Sequence, residues 1–233
     1  MTGPYDAPGK ARTGPAPRPK DAATLILVRR DGQAPRVLMG KRSRGHDFMP
    51  DKYVFPGGRV DAGDGRAPAL AELAESEASA LRYQTRRVVR AFPLTAVRET
   101  FEETGLIIGR PGEHTGHKPP GWAPYLKHDV LPDLSGFTFI GRAVTPPYRH
   151  KRFDARFFMA EAEDVLVDDR PPVEGAELSD LNWVGLEDAL HLDLPNVTRF
   201  MLGEIRERLD HPGRALKPPF LRWTQTGHRM DRI

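Results

Sequence analysis

A short acidic segment places three carboxylates within two turns of a predicted helix. Glu99, Glu102 and Glu103 stand at positions i, i+3 and i+4, so their side chains share one helix face. Gly105 follows and predicts a helix C-cap. Like charges at this spacing weaken an isolated helix, and an oxygen-ligated cation such as Mg²⁺ or Mn²⁺ removes that repulsion. A solvated helix with ordinary charge pairs is the alternative that a charge run alone favours.

The segments around this helix predict a mixed α+β domain. Short apolar runs bounded by Gly, Pro and Asp indicate strands, and apolar positions at three- and four-residue spacing indicate helices. The predicted strands are 23–29, 36–40, 53–55, 137–144, 153–159, a segment near 182–184, 220–223 and 228–233. The predicted helices are 67–91, 93–104 and 195–209, and 111–136 is rich in loops.

Composition limits the partners of the chain. Residues 1–20 carry four basic residues against one acidic residue and predict a disordered basic tail, which leaves 31 basic and 31 acidic residues in 21–233, expected to form a single domain. This neutral body gives no support for a nucleic-acid partner. The absence of cysteine excludes disulfides and thiolate metal sites. No apolar run reaches the roughly 18–20 residues that span a bilayer, so a cytoplasmic protein without membrane partners is expected.

Paired glycines upstream add a second feature. Gly57 and Gly58 follow a predicted strand in a predicted Pro56-Gly57-Gly58 turn, where glycine allows the backbone to approach another group closely. Together with Arg98-Glu99, Glu102-Glu103 and Gly105-Leu106, Gly58 resembles the Nudix box. That pattern is a glycine, five residues, a glutamate, seven residues, and then Arg-Glu-hydrophobic-any-Glu-Glu-any-Gly-hydrophobic.

Three departures from the pattern are visible. Asp64 stands where the family usually has glutamate, 33 residues rather than seven separate it from Arg98, and Thr100 replaces an aliphatic residue. The long gap is similar to the insert of the subgroup that includes peroxisomal coenzyme A diphosphatases. The resemblance implies a Nudix fold, with a mixed β-sheet sandwiched between helices and a helical insertion at 67–92 inside the box.

The resemblance extends upstream of the glycines. Lys41-Arg42-Ser43 is similar to an Arg-Ser stretch of coenzyme A-cleaving members, at the same distance from the paired glycines. Asp47 replaces an arginine of that pattern and Asp51 replaces a glycine. Both acidic residues disfavour a substrate with an additional 3′-phosphate.

Family resemblance implies a Mg²⁺- or Mn²⁺-dependent hydrolase acting on a nucleoside diphosphate linked to a second group, X. Coenzyme A or an acyl derivative is the first expectation for this small-molecule substrate. ADP-ribose, nucleotide sugars, dinucleotides and capped RNA remain open, and so does a non-catalytic module that binds a nucleotide.

The resemblance also implies roles for individual residues. Glu99, Glu102 and Glu103 would bind the metal together with the backbone carbonyl of Gly57, and Arg98 would orient a glutamate. Three residues are candidates for the general base: Glu99 and the later loop glutamates Glu174 and Glu177. Of the two loop glutamates, Glu177 is predicted to be catalytic. The residues expected to bind substrate are Arg42, Gly58 and Arg152.

Other features carry two interpretations each. The basic run 149–152 can bind substrate phosphates or form a solvated loop. Trp122, Tyr125 and Tyr148 can stack on a base or pack in the core. The insertion 67–92 can serve as a partner interface, which makes a homodimer an open expectation.

Overall fold

The structure, a computed structural model, describes residues 15–45 and 48–233. Most of the predicted tail at 1–20 lies outside these residues, and the first strand begins at Lys20. The strands of the described residues are β1 Lys20–Arg29, β2 Arg36–Arg42, β3 Tyr53–Val54, β4 Gly57–Arg59, β5 Arg110–Pro111, β6 Val130–Leu131, β7 Thr138–Val144, β8 Phe153–Glu161, β9 Leu178–Gly185, β10 Pro219–Thr224 and β11 Gly227–Arg232. The helices are α1 Glu75–Leu81, α2 Ala91–Thr104, α3 Ala162–Val165, α4 Leu186–Ala189 and α5 Asn196–Asp210, with 3₁₀ turns at Asp64–Arg66 and Tyr125–His128.

One mixed sheet organises the domain. Seven strands run in the order β11-β10-β7-β8-β1-β2-β3, while β4 pairs with β1 and β9 pairs with β2. The β1–β8 and β7–β10 pairs are parallel, and the other pairs in this sheet are antiparallel. The predicted mixed α+β architecture is therefore confirmed.

Strand β1 shows why the sheet is covered on both faces. Leu25 and Leu27 pack into one apolar cluster with α2, whereas Ile26 and Val28 pack into another with α5. A strand buried on both sides reads as a continuous apolar run because neighbouring side chains point to opposite faces. The sheet thus lies between helices, as the resemblance implied.

Helix α2 agrees closely with its prediction. It begins at Ala91, two residues before the predicted start at Pro93, and it ends at Gly105 in the left-handed conformation, with φ of 70°. The Gly105 N–H donates to the Phe101 carbonyl at 2.8 Å, which closes the last turn as a C-cap. The acidic face of the helix therefore has a fixed end.

The helical insertion predicted at 67–91 is wrong over most of its length. Only Glu75–Leu81 is helical, and parts of the flanking backbone bond to groups distant in the sequence. The Leu70 N–H donates to the Pro132 carbonyl at 2.8 Å, and Arg90 Nη1 donates to the carbonyls of Gly65 and Ala67 at 3.0 and 2.9 Å. These non-local contacts override the helical spacing of the apolar residues.

The segment after Pro56, predicted as a turn, is strand β4 in the structure. It pairs antiparallel with β1 through Ala22–Arg59, Ala23–Gly58 and Thr24–Gly57. This pairing holds the paired glycines beside α2. No helix in 15–45 or 48–233 is long and apolar enough to cross a membrane.

Candidate functional site

Gly57 and Gly58 lie where β4 approaches both β1 and the acidic face of α2. Gly57 has φ of 155°, and a Cβ atom there would lie 2.5 Å from the Ala23 carbonyl oxygen. A side chain on Gly58 would overlap the Glu99 carboxylate. The Gly57 N–H also donates to Glu103 Oε2 at 2.8 Å. The paired glycines thus bring the β4 backbone against two of the three box glutamates.

Arg98 joins the other carboxylates of the helix. Its guanidinium donates to Glu99 Oε1 and to Glu102 Oε2, both at 2.9 Å, and to the Arg59 carbonyl at 3.0 Å. Burial alone would lower the pKa of Arg98, but its carboxylate partners outweigh burial and raise it. The side chain therefore keeps its charge and fixes the positions of Glu99 and Glu102.

Asp64 forms a buried ion pair with Arg98. It is fully buried and accepts from Arg98 Nε at 2.8 Å and from Arg98 Nη2 at 3.0 Å. Trp122 Nε1, Thr95 Oγ1 and the Asp61 N–H complete its hydrogen bonds at 3.0, 2.7 and 2.8 Å. Burial would raise the pKa of Asp64, yet the hydrogen bond and charge of Arg98 bring it below its usual value. Asp64 is therefore an ionised anchor for the arginine.

Glu99 and Glu103 carry an unfavourable charge where they lie. Burial raises the pKa of Glu99 to about 7, despite the lowering effect of Arg98. Burial also raises the pKa of Glu103 to about 8, against the lowering effects of the Gly57 N–H and Arg42. Glu102 is more exposed, at 41% of its side chain, and burial raises its pKa to a lesser extent. A cation near these groups would stabilise their ionised forms.

The donor set fits a hard divalent cation, although no preformed group of three ligands exists in the described residues. The available donors are carboxylate oxygens, which Mg²⁺ and Mn²⁺ prefer. Arg98 bonds to Glu99 and Glu102, so both side chains would adjust on metal binding. Glu103 is fixed by Gly57 and is 6% exposed, which makes it the most rigid donor of the three.

A cavity of about 140 Å³ opens beside the glycines, on the sheet face opposite α2. Its walls are mainly apolar, and its cations are Arg42 and Arg149. Burial lowers the pKa of Arg42, while the charges of Glu103, Glu177 and Glu99 act in the opposite direction. The predicted substrate residues Arg42 and Gly58 thus meet at one cavity next to the carboxylates.

The loop glutamates Glu174 and Glu177 have different surroundings. Glu177 interacts electrostatically with both Glu103 and Arg42, which places it near the site. Glu174 instead accepts the Asp180 N–H at 2.6 Å, within its own loop. Glu177 is therefore the loop glutamate that accompanies the box.

Arg152 does not line the cavity. It donates to the carbonyls of Thr145 at 2.8 Å and Pro17 at 2.9 Å, so its contacts organise backbone, and Arg149 is the arginine of the basic run at the cavity wall. Trp122 and Tyr125 are fully buried, which favours the core interpretation, whereas Tyr148 lines the cavity.

The sequence did not predict the roles that two residues have in this site. Thr95 and Trp122 complete the hydrogen bonds of Asp64 from 31 and 58 residues away. Trp122 was considered only for base stacking or packing. No local sequence pattern connects either residue to Asp64, because only the folded chain brings them together.

Two known proteins are similar to this chain in sequence. No protein-family model matches the chain. A Caenorhabditis elegans protein named "Putative nudix hydrolase 7" is 31% identical over 179 residues, covering 71% of this chain and 51% of that protein. The Gallus gallus acyl-coenzyme A diphosphatase NUDT19 is 32% identical over 114 residues, covering 36% of this chain and 29% of that protein. The chain thus spans about half or less of the length of these curated relatives.

A solved structure supports the same grouping. The crystal structure of a NUDIX hydrolase from Alicyclobacillus acidocaldarius superposes with a TM-score of 0.59 at 26% identity, covering 80% of this chain and 90% of that one. The sandwiched mixed sheet, with a carboxylate-bearing helix against a glycine strand, defines the class of Nudix-fold proteins. Within that class, this chain is similar in sequence and in fold to proteins of the Nudix hydrolase family.

Proposed function

We propose that this chain is a divalent-metal-dependent hydrolase that cleaves the diphosphate bond of a nucleoside diphosphate linked to a second group. The observation that carries the proposal is the meeting of Glu99 and Glu103 with the glycine pair, while Arg98 is locked by Asp64. Three intact carboxylates with two raised pKa values favour metal binding over a purely structural helix.

Glu99, Glu102 and Glu103 would hold Mg²⁺ or Mn²⁺, with the Gly57 carbonyl as a further ligand. When bound, the metal lowers the pKa of water and neutralises phosphate oxygens. Arg98 positions Glu99 and Glu102 through its two short ion pairs. Arg42 lies at the cavity wall, where its positive charge would attract the diphosphate.

Glu177 is proposed as the general base, because it lies near Glu103 and Arg42. Glu177→Gln is expected to lower kcat on the order of 10²-fold or more, since proton removal from water would be lost. Glu174→Gln is the matched control, because it changes a neighbouring loop glutamate that is bonded to Asp180. Equal activity in both variants would return the role to Glu99.

The main test is Glu99→Gln in the full chain. Diphosphate compounds are incubated with Mg²⁺ or Mn²⁺, and the products are identified by mass spectrometry. Glu99→Gln should abolish metal-dependent turnover, whereas Glu113→Gln, at an exposed position, should retain it. Unchanged hydrolysis in Glu99→Gln would reject the enzyme proposal, and nucleotide binding without turnover in the wild type would favour the non-catalytic module.

Coenzyme A or an acyl derivative is proposed as the first substrate to test. The mainly apolar cavity is compatible with a non-nucleotide part of low polarity, and the partial match to an acyl-coenzyme A diphosphatase points the same way. Asp51, which was expected to repel a 3′-phosphate, lies 3.9 Å from Lys41 and 3.5 Å from Arg44, so its charge is partly balanced. Asp47 lies outside the described residues.

The products decide among substrates. Release of phosphopantetheine from coenzyme A would support the first choice. Its absence, together with AMP formation from ADP-ribose, would replace coenzyme A with the alternative substrate class. The substrate role proposed for Arg152 gains no support from its backbone contacts.

A homodimer through the insertion remains a proposal. Leu70 and Val88 are exposed apolar side chains within it, at 55% and 63%. Replacing both with glutamate should halve the molecular mass in light scattering if they form the interface. An unchanged mass would reject this interface.

A further inference from the structure

A second cleft lies on the α2 side of the sheet, between the start of β1 and the box insertion. It has a volume of about 440 Å³. Its lining includes Arg66 from the 3₁₀ turn at Asp64–Arg66, Arg86 and Arg87 from the insertion, and two aspartates, Asp21 and Asp61. We refer to it as the arginine cleft.

Both aspartates of the arginine cleft are already neutralised. Asp21 is paired with Arg87 at 2.8 Å and with the buried Arg156 at 3.0 Å. Asp61 is paired with Arg59 at 3.1 Å. The two carboxylates therefore balance the charges of Arg87, Arg156 and Arg59. They leave the charges of Arg66 and Arg86 uncompensated.

Arg66 and Arg86 supply that remaining charge. Both side chains are exposed, and neither forms a hydrogen bond or an ion pair within the described part of the chain. Two guanidinium groups in one concave surface repel each other unless an anion lies between them. Their planar donor arrays suit phosphate oxygens, which accept paired hydrogen bonds.

The arginine cleft is separate from the cavity beside the glycines. Asp21 lies in the cleft, whereas the next residue, Ala22, lines the cavity, because neighbouring β1 side chains point to opposite sheet faces. The start of α2 also lines the cleft, but the N–H groups of Ala91 and Phe92 already bond to Val88 and Val89. The arginines, rather than the helix end, are thus the available donors.

We propose that the arginine cleft binds the phosphate group of a small molecule, with Arg66 and Arg86 as its main donors and Arg87 held beside them by Asp21. The arginine cleft shares no lining residue with the cavity beside the glycines, and phosphate binding there does not require hydrolase activity. The phosphate can be free inorganic phosphate or the phosphate of a nucleotide, and both present the same dianionic oxygens.

The test measures binding of inorganic phosphate and of adenosine 5′-monophosphate to the full chain by calorimetry at constant ionic strength. The double variant R66Q/R86Q should bind one or both probes on the order of tenfold more weakly than the wild type. The matched double variant R214Q/R229Q removes two exposed arginines elsewhere and should bind as the wild type does. Thermal melting confirms that both variants fold.

The two probes separate the sources of the phosphate. Weakening with both probes indicates recognition of phosphate itself, and weakening with the nucleotide alone indicates a nucleotide phosphate. No binding by the wild type, or equal affinity in R66Q/R86Q and the wild type, would overturn the proposal. So would an equal loss in R214Q/R229Q, which would show nonspecific charge attraction.

Discussion

The carboxylate of Asp64 shows how one residue connects the two separated parts of the box. It is buried, yet it stays ionised because Arg98 and three further donors surround it. The box pattern matched Asp64 to its usual glutamate, and in the structure Asp64 bonds to Arg98 across the 33-residue gap. Its partners were not predictable, since Trp122 and Thr95 contact it through the fold and share no local pattern with it.

Replacing Asp64 with asparagine tests this role. The variant leaves Arg98 buried with less compensating charge, and we expect a loss of about 3 kcal/mol in the free energy of unfolding. Urea unfolding followed by tryptophan fluorescence measures the change. Asp168→Asn removes the same charge from an exposed pair and should leave stability nearly unchanged. Equal stability of Asp64→Asn and the wild type would contradict the anchoring role.

The raised pKa values of Glu99 and Glu103 predict how stability depends on pH. Both values move up from 4.5, to about 7 and about 8, so the folded state favours the protonated forms. The contribution of these two groups to the free energy of unfolding is therefore fully present below pH 4.5, and it is lost as the pH rises through 7 and 8. The pKa of Asp64 is lowered, so its contribution to the stability of the fold is present at neutral pH. That contribution is lost only in acid, as the pH falls below the usual pKa of 3.8.

Chelator-treated protein should thus become less stable between pH 5 and pH 8, a window set by those two raised pKa values. Urea unfolding at several pH values measures the slope. The double variant Glu99→Gln/Glu103→Gln should show a flatter profile, while Glu113→Gln should follow the wild type. An identical slope in the double variant would show that these two groups do not set the pH dependence.

At the scale of elements, local patterns were most reliable where a helix had clear periodicity and a cap. Helix α2 was predicted within two residues of its start, because its apolar spacing and Gly105 act locally. The strand β4 was read as a turn, because Gly57-Gly58 satisfies a turn pattern equally well. Its pairing with β1 depends on residues more than 30 positions away and so was not visible in the local sequence.

The pairing of β4 with β1 predicts the effect of Gly57→Ala. The added Cβ atom would lie 2.5 Å from the Ala23 carbonyl oxygen and 2.7 Å from the Thr24 Cα atom. We expect a loss of about 3 kcal/mol and reduced metal-dependent activity, because β4 must move away from β1 and from Glu103. Denaturant unfolding and turnover assays measure the two effects.

Gly203→Ala provides a control of opposite sign. Gly203 lies in α5 with no atom within 4 Å of the added Cβ, so the change should stabilise the protein by about 0.5–1 kcal/mol. If Gly57→Ala is as stable as the wild type, the close approach of β4 to β1 is not needed for folding.

At the scale of the whole molecule, the insertion is part of the main core. Ala67, Leu73, Ala78 and Leu81 belong to the same apolar cluster as α2 and the inner face of β1. Arg142 on β7 also donates to the carbonyls of Tyr83 and Gln84, at 2.7 and 3.3 Å. The sequence located the insertion between the box halves but not its irregular path, since that path follows contacts with the sheet.

This integration predicts unequal effects for two leucines of the insertion. Leu81 is 2% exposed and packs in the large cluster, so Leu81→Ala should cost about 3 kcal/mol through lost burial and a new cavity. Leu70 is 55% exposed, and Leu70→Ala should change stability little. Urea unfolding followed by both fluorescence and circular dichroism should give one shared transition for Leu81→Ala, at a lower midpoint. Because the insertion and the sheet share one core, they should unfold together; separate transitions would instead show that the insertion folds as an independent unit.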